Sequence, residues 1–289
     1  QKLFELLTEG FIFNLMSEKE LTIAINGYRS PEILRLCLQS VLKEMAGTTI
    51  SYEVLVADSA TEEDTEMLMR EEFPQVRFFP FKENVGFKTL VNTSIEQALG
   101  EYIFLINSDI VLTPETMPKM LAYLKEHPEV GILGPKQLNF NGSLQQSCFH
   151  FYRPETILYR RTWLGRLPSG KKHLRWFTLS DEDLTVVKPV DWIMGSALLV
   201  SKEKAKIVGP FDEQFFMYME DTDWCRRFWE RGFKVVYYPD AMVYHYHAKG
   251  SARGGLFVPL LFNRLTWYHR ESAFKYFWKY RKKPLPVTE

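Results

Sequence analysis

Three short clusters of polar side chains stand where chemistry could be done. Asn107-Ser108-Asp109 closes the apolar run YIFLI. A carboxylate directly after such a run is poorly placed for packing. It is well placed to hold a hard divalent cation, Mg2+ or Mn2+, beside a diphosphate. The plainer reading is a cap for a helix beginning at Pro114, which lies five residues on and is too far for an ideal cap. The second cluster is Glu220-Asp221-Thr222-Asp223, preceded by the apolar stretch FFMYM. As a helix start, its acids would complement the macrodipole. Apolar surroundings would also raise a carboxylate's pKa towards that of a general base. The third is Tyr244-His245-Tyr246-His247, followed by Lys249-Gly250-Ser251. On a strand, His245 and His247 share a face and could bind metal or phosphate, although a lone histidine is more often structural.

These clusters need a scaffold, and the hydrophobic pattern supplies one. LTIAIN, EVLVAD, VRFF, YIFLIN and VGILG read as strands. Between them, Pro31 to Met45, Thr61 to Glu72, Lys88 to Leu99 and Pro114 to Glu126 read as helices. Ser30 is placed to cap the first helix and Pro31 to open it. Such alternation predicts an α/β fold with a mostly parallel sheet and helices on both faces. In open parallel sheets, ligands bind beyond the carboxyl ends of the strands. Four polar groups should meet there: Asn26-Gly27-Tyr28, Asp58-Ser59, Asn84-Val85-Gly86-Phe87 and Asn107-Ser108-Asp109. Any one alone is ordinary turn chemistry; four at one edge favour a shared site.

Residues 136 to 190 break the alternation and read as an excursion of loops or a small hairpin. Regular structure resumes with SALLV, a short helix after Ser201, a helix from Asp221 to Arg231 and the strand FKVVYY. The division expected is an arm or helix over 1–20, a catalytic domain over 21–255 and a basic, aromatic helical tail over 256–289.

Composition narrows the function by exclusion. The 36 Lys and Arg balance 36 Asp and Glu, which gives no hint of nucleic-acid binding. Cys37, Cys148 and Cys225 form no CxxC pair, which argues against a zinc cluster and fits a reducing compartment. No run approaches the roughly 20 apolar residues of a membrane span. The first residues lack a signal peptide's basic region and cleavage site. The expectation is a cytoplasmic protein, associated peripherally with the inner face of the membrane if its tail binds there. Between Arg264 and Lys283 that tail carries seven Lys or Arg, one Glu and seven aromatics. Its face of Trp267, Glu271, Phe274, Phe277 and Trp278 either closes the core or lies in a lipid headgroup layer.

Taken in order, IAINGYRSPEILRLCLQSVL, VLVADSAT, NVGF with Asn92, INSDIVL, VDWIMGSALLV, FDEQFFMYMEDTDWCRRF and YPDAMVYHYHAKGS resemble an inverting family 2 glycosyltransferase. The resemblance spans Leu21 to Ser251 and implies the GT-A (Rossmann-like) fold. Its nearest subgroup is similar to bacterial rhamnosyltransferases of cell-envelope polysaccharide biosynthesis. It implies that Asn26, Tyr28, Asp58, Asn84 and Gly86 lie beside the nucleotide-sugar. Asn107, Ser108 and Asp109 match the DXD-type motif, with Asp109 the metal ligand. Asp191, Trp192 and Gly195 match the segment lining the sugar and acceptor. Glu220-Asp221 matches the motif of the catalytic base, assigned to Asp221. His245 matches a histidine near diphosphate and metal, and His247 could fill that role. Ser108 and Ser59 depart from the usual motifs, leaving uridine and thymidine both open.

The reaction implied moves a sugar from a nucleotide-diphosphate-sugar, such as dTDP-rhamnose, to a hydroxyl of a glycan or lipid-linked acceptor. One acid sits on the diphosphate side and another removes the acceptor's proton, which predicts a single displacement with inversion. The rival readings are weaker. A nucleotidyltransferase would show a glycine-rich basic loop where NGYRSPE stands. A dinucleotide enzyme would show G-x-G-x-x-G there. A non-catalytic carbohydrate- or nucleotide-binding protein has no need of three carboxylates beside FFMYM.

Overall fold

The computed structural model describes residues 19–246 and 264–288. The expected arm over 1–20 therefore lies almost wholly outside the described residues, as do His247, the Lys249-Gly250-Ser251 turn and the start of the tail.

The first half alternates as expected. It runs β1 (Leu21–Tyr28), α1 (Pro31–Met45), β2 (Tyr52–Ser59), α2 (Glu63–Glu72), β3 (Arg77–Phe81), α3 (Phe87–Gln97) and β4 (Tyr102–Asn107). There follow β5 (Ile110–Leu112), α4 (Thr116–Glu126) and β6 (Val130–Leu138). The three-residue β5 is too short to leave a periodic signature. Pro31 opens α1 as expected, but the Ser30 side chain makes no cap hydrogen bond.

Residues 136–190 hold more helix than expected. A turn over residues 139–143 joins β6 to the antiparallel β7 (Leu144–Gln145), and β8 (Cys148–Phe149) follows. Then come α5 (Pro154–Arg161), a 3-10 turn (Trp163–Arg166) and α6 (Pro168–Phe177). The two helices are short and bury little, so they do not stand out beside the apolar helices of the first half. Thr156 is the buried residue of α5, and Gly170 and Phe177 are those of α6. Each instead opens with proline in its first turn. After β9 (Lys188–Pro189) and β10 (Trp192–Ile193) come β11 (Ala197–Ser201), α7 (Lys202–Val208), α8 (Glu220–Glu230), β12 (Lys234–His245) and α9 (Arg264–Tyr280).

The main sheet runs β3-β2-β1-β4-β11-β6-β12-β5. β1, β2, β3 and β4 are mutually parallel, as are β6 and β12, whereas β11 runs antiparallel to β4 and β6. Strand alternation splits the core in two. Leu21, Ile23 and Ile25 face a layer with Leu34, Leu38 and Val41 of α1 and Met117 and Met120 of α4. Ala24, Ile103 and Leu105 face the opposite layer with Trp224 and Phe228 of α8 and Tyr276 and Tyr280 of α9. Register sets the ends level: Asn26 lies opposite both Ala57 and Asn107, and Gly27 opposite Asp58.

Candidate active site

The level strand ends open onto a cleft of ≈ 360 Å³. Asn26 and Tyr28 from β1, Asn84 and Gly86 from the turn after β3, and Asn107, Ser108 and Asp109 from the β4–β5 turn all line it. The four strand-end groups thus meet as the sequence predicts, with one qualification. Ser59 lines the cleft, while Asp58 is buried beneath Gly27. A Cβ on Gly27 would fall 2.5 Å from Asp58 Oδ1, so only glycine allows that approach. Asp58 Oδ2 meets no partner. Burial raises the Asp58 pKa, and a hydrogen bond from Thr61 works against the rise.

Hydrogen bonds fix these turns. Asn84 Oδ1 accepts from the Gly86 amide (3.1 Å), and Ser59 Oγ accepts from the Val85 amide (3.0 Å). Gly86 has φ 77°, and a Cβ there would fall 2.8 Å from Phe216. The Ser108 amide donates to Asn26 O (2.9 Å), and the Tyr246 amide donates to Asp109 O (2.9 Å), tying the β4–β5 turn to the end of β12. Asn26 is itself held inside the protein, with Ser94 Oγ donating to its Oδ1 (3.2 Å).

His245 reaches the same corner. Its Nδ1 lies 3.0 Å from Gln137 Oε1 and its Nε2 3.3 Å from Asp109 Oδ1. Asp109 Oδ1 is buried yet forms no aligned hydrogen bond, and Asn107 Oδ1 is also without a partner. An octahedral cation about 2.1 Å from each of two adjacent ligands holds them about 3 Å apart, so this pair fits a shared ion. Among the described residues they form no larger cluster of acids, histidines or cysteines.

Glu220 and Asp221 open α8 and line a second cavity of ≈ 530 Å³. Met219 and Tyr218 just before them have left-handed φ of 68° and 71°, a strained conformation for large side chains. Strain of this kind persists where the surroundings dictate it, commonly at functional sites. Asp221 Oδ2 accepts from the Gly195 amide (3.0 Å) and Oδ1 from the Thr222 amide (2.7 Å). Glu220 Oε2 has no partner. Burial, then the neighbouring Asp221, push Glu220 up to about 8. Burial also raises Asp221, against those amide donors. The donors favour charge on Asp221, so Glu220 is the member of the pair that keeps its proton.

The remaining expected residues divide. Trp192 lines the second cavity, stacked on Phe149 (4.5 Å between ring centroids). Gly195 lies between the two hollows: a Cβ there would be 3.1 Å from Phe87, in the first, and 3.3 Å from Asp221, in the second. Asp191 lines neither; it accepts from the Phe151 amide (2.7 Å) and from Thr288 Oγ1 (2.8 Å), a bracing role. Asp223 turns away into the core, where Arg227, Lys279 and Tyr280 hold it. Periodicity misses Phe216, Tyr246 and Tyr268 of the first hollow and Tyr152, Arg160, Arg161 and His269 of the second. Phe216 and Tyr246 stand within the FFMYM and Tyr244-to-His247 clusters already singled out; for the others the nearest signals are the aromatic richness of residues 136–190 and of the tail.

A mostly parallel sheet with a polar cleft at its strand ends and a buried carboxylate pair beyond defines a GT-A-type fold. The sequence profile of "Glycosyl transferase family 2" matches residues 22–181, and the chain belongs to that family. The N-acetylglucosaminyl-diphospho-decaprenol L-rhamnosyltransferase of Mycobacterium tuberculosis is 31% identical over 214 residues, covering 69% of this chain and 68% of that one. Rhamnosyltransferase WbbL of Escherichia coli is 34% identical over 193 residues, covering 64% and 65%. Among solved structures, GalNAc-T7 with UDP, GalNAc and Mn2+ superposes with a TM-score of 0.60 at 13% identity, covering 79% of this chain and 43% of that one. The mannosyltransferase PcManGT of Pyrobaculum calidifontis, with GDP-Man and Mn2+, gives 0.54 at 18% identity, covering 81% and 58%.

Proposed function

We propose that this glycosyltransferase moves a sugar, such as rhamnose from dTDP-rhamnose, to a hydroxyl of a lipid-linked glycan acceptor during bacterial polysaccharide biosynthesis, with inversion. One observation carries the reading. Two hollows adjoin at the bare Gly195 backbone, one with Asp109 and His245 and the other with Asp221. The named relatives support the choice of sugar and acceptor.

The first hollow takes the donor. Tyr28, Asn84 and Gly86 contact the nucleotide, with Asp58 beneath as acceptor for a base or ribose donor group. Asp109 and His245 are the residues that would hold Mg2+ or Mn2+ beside the diphosphate. When bound, such an ion offsets negative charge on the departing diphosphate. Gln137 orients the His245 ring. In the second hollow, Asp221 Oδ2 takes the proton of the attacking hydroxyl, and that oxygen bonds to the anomeric carbon as the bond to the diphosphate breaks. Protonated Glu220 spares Asp221 a competing negative charge. Trp192 offers an apolar face to the acceptor sugar.

No helix among the described residues is long and apolar enough to cross a membrane. For a lipid-linked acceptor, we place the contact with the bilayer on α9, where Trp267, Phe274 and Trp278 are 55%, 68% and 59% exposed.

The direct test supplies nucleotide sugars one at a time with Mn2+ and a short-chain N-acetylglucosaminyl diphosphate lipid, read by mass spectrometry. One deoxyhexose should be added from dTDP-rhamnose, with the anomeric configuration of the product opposite to the donor's by NMR. Transfer from another donor would replace the rhamnose assignment, and retained configuration would remove Asp221 as the base.

A further inference from the structure

The second hollow has a basic wall for which sugar transfer itself has no use. Arg160 and Arg161 end α5, and both line the hollow beside Tyr152, Tyr218 and His269. Arg160 Nη1 donates to the Tyr152 hydroxyl (2.5 Å), and its guanidinium lies over the Phe177 ring at 5.5 Å. Neither arginine has a carboxylate ion-pair partner among the described residues. Burial and the adjacent Arg160 hold Arg161 below its ordinary pKa, and the phenols of Tyr152 and Tyr218 only partly offset this. His269 stands beside them, 6% exposed, with a buried Nδ1 that meets no partner. Burial and the two guanidiniums push it down to about 3, so it stays neutral.

Two adjacent, uncompensated guanidiniums repel each other, and an anion between them removes that cost. Their planar forks suit phosphate oxygens, each taken by parallel N–H donors. The donor's diphosphate does not answer the need, because neither arginine lines the cleft that holds Asp109. The anion must also tolerate Glu220 and Asp221 across the hollow. Tyr152 and Tyr218 line the same hollow, and each phenol feels both the basic and the acidic groups. The basic wall and Asp221 thus face the same hollow. A further recess of ≈ 810 Å³, lined by Trp163, Leu174 and Phe177 as well as both arginines, continues from the wall.

We propose that Arg160 and Arg161 bind the diphosphate of a sugar-diphosphate-lipid acceptor, with the sugar reaching Asp221 and the first lipid carbons entering the Trp163 recess. This rests on the acceptor-side reading of Asp221 given above. His269 Nδ1 supplies a further hydrogen bond to the same phosphates.

Calorimetric titration of the full chain, presaturated with Mn2+ and dTDP or UDP, tests it with four probes. They are short-chain N-acetylglucosaminyl diphosphate lipid, the same sugar as a plain alkyl glycoside, inorganic pyrophosphate, and phosphatidylglycerol vesicles. The diphosphate lipid should bind at least about tenfold tighter than the glycoside, as expected for charge-assisted hydrogen bonds. Pyrophosphate should compete with it. Arg161→Gln, and Arg160→Gln with Arg161→Gln, should remove that advantage while glycoside and nucleotide affinities hold. Arg161→Lys should restore part of it. The Arg161 side chain makes no hydrogen bond among the described residues, so its single variant keeps the test open if the double variant fails to fold. Equal affinity for the diphosphate lipid and the glycoside, with both still glycosylated, overturns this inference and leaves the acceptor reading standing. Arginine-dependent binding of vesicles without binding of the short-chain lipid also overturns it, in favour of a bilayer contact. If neither sugar probe binds or is glycosylated, the acceptor reading fails and this inference with it.

Discussion

The donor hollow and the acceptor hollow are built by different means. The donor side is made mainly of turns that follow successive strands, and sheet register brings the strand ends level: Asn26 beside Asn107, Gly27 beside Asp58. The acceptor side draws on residues 139–161, Trp192, the start of α8 and His269 of α9. Only a two-residue antiparallel ladder, with Trp192 of β10 opposite Phe149 of β8, links any of these pieces. They are held by aromatic stacking, by backbone donors to Asp221 and by the tail. Asp223 takes Lys279 (2.5 Å) and Tyr280 (2.8 Å), and Ser272 Oγ donates to Met217 O (2.8 Å). A register-built site should therefore tolerate loss of a side chain without loss of fold. An anchor-built site should fail structurally when an anchor goes.

The largest effect should come from Asp109→Ala. Transfer should fall by about 10³-fold or more, since charge on the leaving diphosphate goes unmatched. Nucleotide affinity with Mn2+ should weaken, and the melting temperature should hold because sheet register fixes this turn. Unchanged activity, or full activity in excess EDTA, would remove Asp109 and its ion from the site. Asp221→Asn should come next, lowering kcat by about 10²–10⁴-fold with donor affinity kept, as for a lost general base. Should donor affinity fall instead while kcat holds, Asp221 belongs to the donor side and the two hollows do not divide the labour.

The anchors are tested by Asp223→Ala. Losing a buried partner of Arg227 and Lys279 should cost about 3–5 kcal/mol of stability by urea denaturation. A loss below about 1 kcal/mol, within the range of exposed ion pairs, would show that the tail is held by packing alone. Glu220 gives a smaller signal with a definite sign. Its raised pKa means that the folded chain holds this proton more tightly than the unfolded chain. The resulting stability is fully present below 4.5 and is lost as pH rises through about 8. Thermal melts across that window should decline less for Glu220→Gln than for the parent. Parallel declines would mean that the pair shares its charge differently.

The same contrast explains what could be read from the sequence. Strands of the first half announced themselves because each is a continuous apolar run ending in a polar group, and the cleft residues follow from topology. Asp109 is legible for that reason, and the Glu220-Asp221 pair because acids directly follow the apolar run FFMYM. Helices α5 and α6 are not, because they are short and bury few side chains. Arg160, Arg161 and His269 were invisible because their meeting depends on how α5 and α9 pack, which no local pattern encodes. Asp58 and Asp191 show the converse limit. Their positions were foreseeable, but the sequence could not tell that one lies under Gly27 or that the other braces the chain terminus.

The last and smallest effect concerns the outer face of α9. The expected face of Trp267, Glu271, Phe274, Phe277 and Trp278 does not simply close the core: Ala273, Tyr276 and Tyr280 do so, with Phe277 half-buried. Trp267, Phe274 and Trp278 stay exposed, with the Phe274 and Trp278 rings stacked at 6.1 Å and Arg270 and Arg281 over the two indoles. Aromatic rings flanked by cations suit a headgroup layer, where each Lys or Arg contributes about 1 kcal/mol near anionic lipid. Cutting the tail away would confuse this question, since Lys279 and Tyr280 anchor the catalytic side. Replacing Trp267, Phe274 and Trp278 together with serine leaves those anchors in place. The triple variant should melt with the parent, keep its rate on a soluble acceptor and lose several-fold in co-sedimentation with phosphatidylglycerol vesicles. The parent's binding should weaken with salt, because exposed charges are screened within about 10 Å at 0.1 M ionic strength. Equal sedimentation of parent and variant would leave α9 with only its structural task and move the bilayer contact to another surface.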